Sequence, residues 1–368
     1  MKSWLTLLVL ALCCSSAVLG HDLTALPLGD GKISQAPKTG WIWACHVDPQ
    51  GGGAQVDGPW INKKQGTFDL TSKAVVPGAV TWPYKFDISV QRGRRIFSSN
   101  DLPAHPTGSF PIPAGSDAWR YDRNPNRINA QNVFLELPAI PALAAQPSCV
   151  PGAIGYLLSG AVLFNALDAP GRDAVAHETQ DSCQGHPQQS GVYHYHSVSS
   201  CVDTKREANG HSSLVGYLID GFGIYGRYGD GGKLLTSADL DECHGHTHKI
   251  MWDGKWIEMY HYHATWDFPY TAGCLRGNYR MSDVAALSGP PPQMGMGQRS
   301  GPQSDMPRPG QGGPDGRRPD LNKAAASLGI DVQRLRAALG PPPPDLSAAA
   351  SRLGISVERL QAALDAAR

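Results

Sequence analysis

The chain has 368 residues, 41% hydrophobic and 17% charged, with 32 basic against 32 acidic side chains. A net charge of zero leaves the chain without basic character overall, so nucleic acid is not an expected partner. The 42 glycines and 30 prolines argue against a helical bundle, so a mainly β body with long loops is expected, and the length allows about two domains.

In chain order, Lys2 precedes the apolar run WLTLLVLAL and then small residues. This is the pattern of a secretory signal peptide over residues 1–20, too short for a stable membrane span. Cleavage after Ala17 or Gly20 satisfies the small-residue rule and leaves six cysteines, which an oxidising compartment, periplasmic or secreted, would pair as three disulfides. Leu12 before Cys13 speaks against a lipoprotein site. Cleavage after Gly20 would expose His21, whose amine and imidazole together chelate copper, although a frayed terminus is the plainer expectation.

From residue 22 to 150 turn signals such as Asp30-Gly31 and Asn124-Pro125-Asn126 separate short runs such as NVFLEL. They predict β-structure with long loops inside a body spanning 21–282.

Next comes an internal duplication, about 150–201 and 211–274. IGYLLSG at 154–160 answers VGYLIDG at 215–221, DSCQGH at 181–186 answers DECHGH at 241–246, and YHYH at 193–196 answers YHYH at 260–263. Three blocks in one order mark a tandem repeat. Each first block predicts two strands joined at Ser159-Gly160 or Asp220-Gly221, and YHYH predicts a strand. Repeat symmetry also predicts the pairs Cys183–Cys201 and Cys243–Cys274, leaving Cys45–Cys149.

Alternation along a strand puts His194 and His196 on one face and Tyr193 and Tyr195 on the other. With His186 they form a three-imidazole set, repeated as His246, His261 and His263, a donor set that suits a transition metal, copper or zinc. Asp181 and Asp241 are matched candidates for orienting the imidazoles, or else for capping turns. Glu178 has no counterpart and is a candidate base for a metal-bound water. His177, His211, His244 and His248 are also unmatched, and the unmatched His244 and His248 are expected to matter less. Packing of the halves about a pseudo-twofold axis is expected to bring the two YHYH strands together, so that the six histidines share one site or form neighbouring ones.

A Pro/Gly-rich stretch over 283–319 reads as a disordered linker, whose Met294, Met296 and Met306 offer sulfur to copper(I). Residues 320–368 then repeat DLNKAAASLGIDVQRLRAALG as DLSAAASRLGISVERLQAALD, two units of paired short helices broken at Gly329 and Gly354 and capped by Asp331 and Ser356.

GWIWAC at 40–45, YDRNPN at 121–126, GRDAVAHETQDSCQGHP at 171–187, LIDGFGIYG, DLDECHGH and both YHYH copies resemble the YHYH-domain proteins, an exported family named after the tetrapeptide. The resemblance covers about residues 30–280 and implies the fold and export. It carries over no catalytic residue. The function expected is an exported histidine-rich metal-binding protein that buffers or delivers its ion. Alternatives are a metalloenzyme, either a copper oxidoreductase or a metal-dependent hydrolase, and a non-metal extracellular module presenting Trp252, Trp256 and Trp266 to glycans or protein partners.

Overall fold

An eight-stranded mixed sheet holds both copies of the repeat. Across it lie Gly185–Pro187, Tyr193–Tyr195, Val162–Phe164, Ala153–Leu157, Leu214–Leu218, Gly223–Tyr225, Lys255–His263 and Gly245–Trp252. The structure is a computed structural model that describes residues 21–49, 51–203, 205–289, 321–339 and 346–367. The expected signal peptide, and Met294, Met296 and Met306, lie outside the described residues.

The order reads the same from either edge, four strands from each copy. The halves meet where Ala153–Leu157 pairs antiparallel with Leu214–Leu218, Tyr156 opposite Tyr217, Gly155 opposite Leu218 and Leu157 opposite Gly216. Since Tyr217 is the repeat equivalent of Tyr156, the pseudo-twofold axis runs through this pair. Glycine is needed on both sides of it, because a Cβ on Gly155 would lie 2.6 Å from the Tyr217 carbonyl oxygen and one on Gly216 2.6 Å from that of Tyr156.

From the axis outward each half repeats one path. A hairpin turns at Gly160 or Gly221, with φ of 85° and 91°, values that glycine adopts without strain. Its second strand pairs parallel with the YHYH strand, which pairs antiparallel with the strand that follows the cysteine turn. The expected axis is therefore present, but the YHYH strands do not meet at it. Four strands stand between them, roughly 24 Å at the usual strand spacing. The inner strands form the join because they are the paired, glycine-bearing ones.

Smaller antiparallel sheets from residues 26–148 pack on this body, including Phe86–Gln91, Arg94–Ser99 and Val133–Pro138. From them Arg95 reaches between the rings of Tyr217 and Trp252, 4.5 and 4.9 Å from their centroids, and pairs with Asp253 at 2.8 Å. The disulfides are Cys45–Cys149, Cys183–Cys201 and Cys243–Cys274, as the repeat symmetry predicts. The loops of 18 and 31 residues are each worth about 3 to 4 kcal/mol of unfolded-chain entropy and the loop of 104 residues nearer about 5 kcal/mol.

A helix at Met281–Leu287 crosses the boundary expected at residue 282 and buries Val284 and Leu287 in the main core. A separate unit carries the helices Leu321–Leu328, Val332–Leu339, Leu346–Leu353 and Val357–Ala366, which bury Leu328, Leu335, Leu353, Leu360 and Leu364 against one another. Its helix starts use the expected caps, Asp331 accepting from the Arg334 amide and Ser356 from that of Arg359. No helix among the described residues is long and apolar enough to cross a membrane.

Candidate metal centres

Each YHYH strand turns its tyrosines and histidines to opposite faces, as the alternation predicts. Tyr193, Tyr195 and Tyr262 are fully buried and Tyr260 nearly so. Their hydroxyls are anchored: Tyr193 donates to Asp181 at 2.9 Å, Tyr260 to Asp241 at 3.1 Å, Tyr262 to Asp220 at 2.7 Å, and Tyr195 lies 2.5 Å from His105 Nε2. Locking the rings fixes the strand register, and with it the aim of the histidines.

On the other face His186 stands opposite His194, and His246 opposite His261. The imidazoles gather in two clusters, His186, His194 and His196 in one half and His211, His246, His248, His261 and His263 in the other. Within each cluster one ring nitrogen per residue lies within 4.8 Å of all the others. All six predicted histidines are thus brought together, three and three, rather than in one shared site. Sequence reasoning missed His211 and His248, although His246 and His248 have the alternate spacing that puts both on one strand face. His248 belongs to a cluster, Nε2 to Nε2 3.0 Å from His246, whereas His244 turns away to bond Thr265 at 2.9 Å.

Backbone carbonyls orient the rings. His194 Nδ1 bonds the Val192 carbonyl at 3.3 Å, and His196 Nδ1 that of Asn165 at 2.5 Å. In the second copy His261 Nδ1 bonds Met259 at 3.1 Å, and His263 Nδ1 bonds Gly226, the repeat equivalent of Asn165, at 2.6 Å. His211 Nδ1 and His248 Nδ1 bond the Ser212 and Lys249 carbonyls. A carbonyl oxygen only accepts, so each of these Nδ1 atoms carries the proton and its Nε2 presents a lone pair. The matched acids do something else. Asp181 Oδ1 accepts from the amides of Cys183 and Gly185, and Asp241 Oδ1 from those of Cys243 and Gly245, so both cap the cysteine turn. A short side chain beside a tight turn reaches its own backbone first.

The Nε2 atoms of His194 and His196 lie 3.2 Å apart, and so do those of His261 and His263. With both protons on Nδ1, two lone pairs face each other at this distance; moving one proton to Nε2 would join the rings by a hydrogen bond but leave a bare Nδ1 facing a carbonyl oxygen, so a cation between the Nε2 atoms is the arrangement that satisfies every atom. Neutral, buried imidazoles are the form that ligates metal. Burial, with help from neighbouring imidazoles, holds His186, His194, His261 and His263 well below the usual histidine range and His246 down at about 4. Burial likewise lowers His211.

Both ring nitrogens of His186, Nε2 of His211 and Oε2 of Glu178 are buried without a hydrogen-bond partner among the described residues. Glu178 Oε2 does approach the Nε2 atoms of His186 and His196, at 3.3 Å from each, but without hydrogen-bond alignment. Buried polar groups left unpaired cost stability, and an ion would give a partner to His186 and Glu178 in one half and to His211 in the other. A bond length of about 2.0–2.1 Å to tetrahedral ligands separates them by about 3.3–3.4 Å, which the 3.2 Å pairs match closely. The donor set fits a transition-metal ion, and both clusters can hold one.

Of the three tryptophans, Trp252 is core and donates to the Ala139 carbonyl, Trp266 lies under Arg227, and Trp256 is exposed. They therefore make no common platform. His21 stands 3.6 Å from Asp267, away from both clusters.

No curated protein and no solved structure matches the chain. The expected likeness holds over a defined stretch: residues 135–233, which carry the whole first cluster and His211 of the second, match the family model described as YHYH protein.

Proposed function

We propose that this is an exported metal-binding protein that holds one transition-metal ion, copper or zinc, in each half of its duplicated sheet. The observation that carries the reading is the repeated pair of Nε2 atoms at 3.2 Å, both lone pairs turned inward by protons committed to backbone carbonyls. A packing role would need an imidazole–imidazole hydrogen bond in each half, which leaves one bare Nδ1 facing a backbone carbonyl, twice. Export is supported by the apolar N-terminal run and by the three disulfides. Buffering or delivery is preferred to catalysis because His261 and His263 are fully buried and His186, His194 and His196 nearly so, which suits retention of an ion more than turnover of a substrate.

Elemental analysis of protein purified from an oxidising compartment tests the reading. About two equivalents of copper or zinc per chain are expected, falling to about one in the double variant His194→Ala/His196→Ala. Protein that contains no metal and takes none up on titration would overturn it.

A further inference from the structure

The two halves diverge in their ligands. In the first, Glu178 Oε2 lies one tetrahedral edge, 3.3 Å, from two imidazole nitrogens at once, and is itself buried with no hydrogen bond. In the second, the cysteine-turn offset of 60 residues puts Ala238 at the equivalent position, and His211 and His248 join the cluster. The first cluster is thus three imidazoles with a carboxylate 3.3 Å from two of them, those of His186 and His196, and outside the 4.8 Å grouping that joins all three; the second is five imidazoles.

We propose that Glu178 is the fourth, anionic ligand of the first centre, and that this difference sorts the ions: zinc in the first half, copper(I) in the second. The proposal rests on the metal-binding reading above. A carboxylate with three neutral imidazoles reduces a divalent ion to a net charge of +1, and a hard oxygen donor suits zinc better than copper(I). Five neutral imidazoles leave the full ionic charge, in a site where His261 and His263 are completely buried. A monovalent ion carries +1 there and a divalent one +2, and uncompensated buried charge is costly. The nearest carboxylate to the second cluster, Asp230, stands 3.6 Å from the outer nitrogen of His248 and is largely exposed, so it offsets little. Imidazole is a donor for copper as it is for zinc, so with no carboxylate in the set the buried charge decides.

The test uses the full mature chain, stripped of metal with its disulfides intact, in wild-type form and as Glu178→Gln and His246→Ala/His248→Ala. Each is titrated with cobalt(II), a spectroscopic stand-in for zinc, and anaerobically with copper(I) against a colorimetric chelator. Wild type should bind one cobalt with the intense visible bands of a tetrahedral site, and one copper(I). Glu178→Gln should weaken cobalt binding at least tenfold and shift its bands while leaving copper(I) uptake unchanged, which also shows that the variant folds. His246→Ala/His248→Ala should do the reverse. Unchanged cobalt affinity and spectrum in Glu178→Gln would overturn the ligand assignment, and equal uptake of both ions at both centres would overturn the sorting. A wild-type protein that binds neither ion would instead refute the metal-binding reading itself.

Discussion

Substituting Gly216 by alanine tests the join between the two halves. The new Cβ would lie 2.6 Å from the Tyr156 carbonyl oxygen, 2.6 Å from Leu157 Cδ2 and 2.9 Å from Leu157 Cα. Two of these three neighbours are backbone in a fully buried strand, so they cannot rotate away, and the strands must separate or slip. Overpacking of this kind costs about 1–3 kcal/mol, and with backbone on the receiving side the upper end applies, about 3 kcal/mol. For a body of this size that lowers the melting temperature by roughly 6–12 °C. Gly155→Ala should cost a similar amount, since the axis gives it the matching contacts with Tyr217 and Leu218. Gly152→Ala, whose Cβ would meet nothing within 4 Å, should be neutral or slightly stabilising. The assay is thermal unfolding followed by near-ultraviolet circular dichroism with the disulfides intact. If Gly155 and Gly216 tolerate alanine as well as Gly152 does, the halves do not pair through these strands, and the separation of the two centres loses its basis.

Asp181→Ala removes an acceptor shared by the amides of Gly108, Cys183 and Gly185 and by Tyr193, and should destabilise by about 3 kcal/mol or more. In urea titrations Asp241→Ala, with three donors, should cost less, and neither should change metal stoichiometry. Acid should unfold the metal-free protein with a defined sign. His246 is held down at about 4 by burial first and by His248 and His211 next, while an unfolded imidazole titrates near 6.5. Between those values the unfolded chain binds more protons, so stability is intact above about 6.5 and declines as pH falls toward 4. Urea midpoints measured at pH 7.5, 5.5 and 4.5 check this, and a midpoint that rises on acidification would contradict it. A chain ending at Gly289 should keep its metal and melting temperature, whereas one ending at Arg280 loses the buried Val284 and Leu287 and should melt lower by several degrees.

Much of this was legible in the sequence because one repeat could be read against the other. The blocks around Tyr156 and Tyr217 gave the hairpins, the cysteines flanking each YHYH gave the disulfides, and alternation gave the two faces. Comparing copies also discards whatever serves one copy alone. Such a comparison passes over His211 and His248, and it leaves Glu178 as a candidate base because nothing in the sequence shows its 3.3 Å approach to two imidazoles. The place of the axis is not legible, for a different reason. Twofold packing says that equivalent strands meet without saying which, and YHYH drew attention by its chemistry. The signal lay in Gly155 and Gly216, glycines inside apolar strands, which mark close backbone approach. Asp181 and Asp241 were ambiguous because a carboxylate two residues before an amide caps a turn as readily as it orients a histidine.

Anomalous scattering at the copper and zinc edges, from crystals of protein isolated with its native metal, addresses the central claim most directly. Two peaks are predicted, one within about 2.1 Å of the Nε2 atoms of His194 and His196 and one within about 2.1 Å of those of His261 and His263, roughly 24 Å apart across the sheet. A single peak shared between the halves, or density showing either histidine pair hydrogen-bonded only to water and protein, would contradict the account.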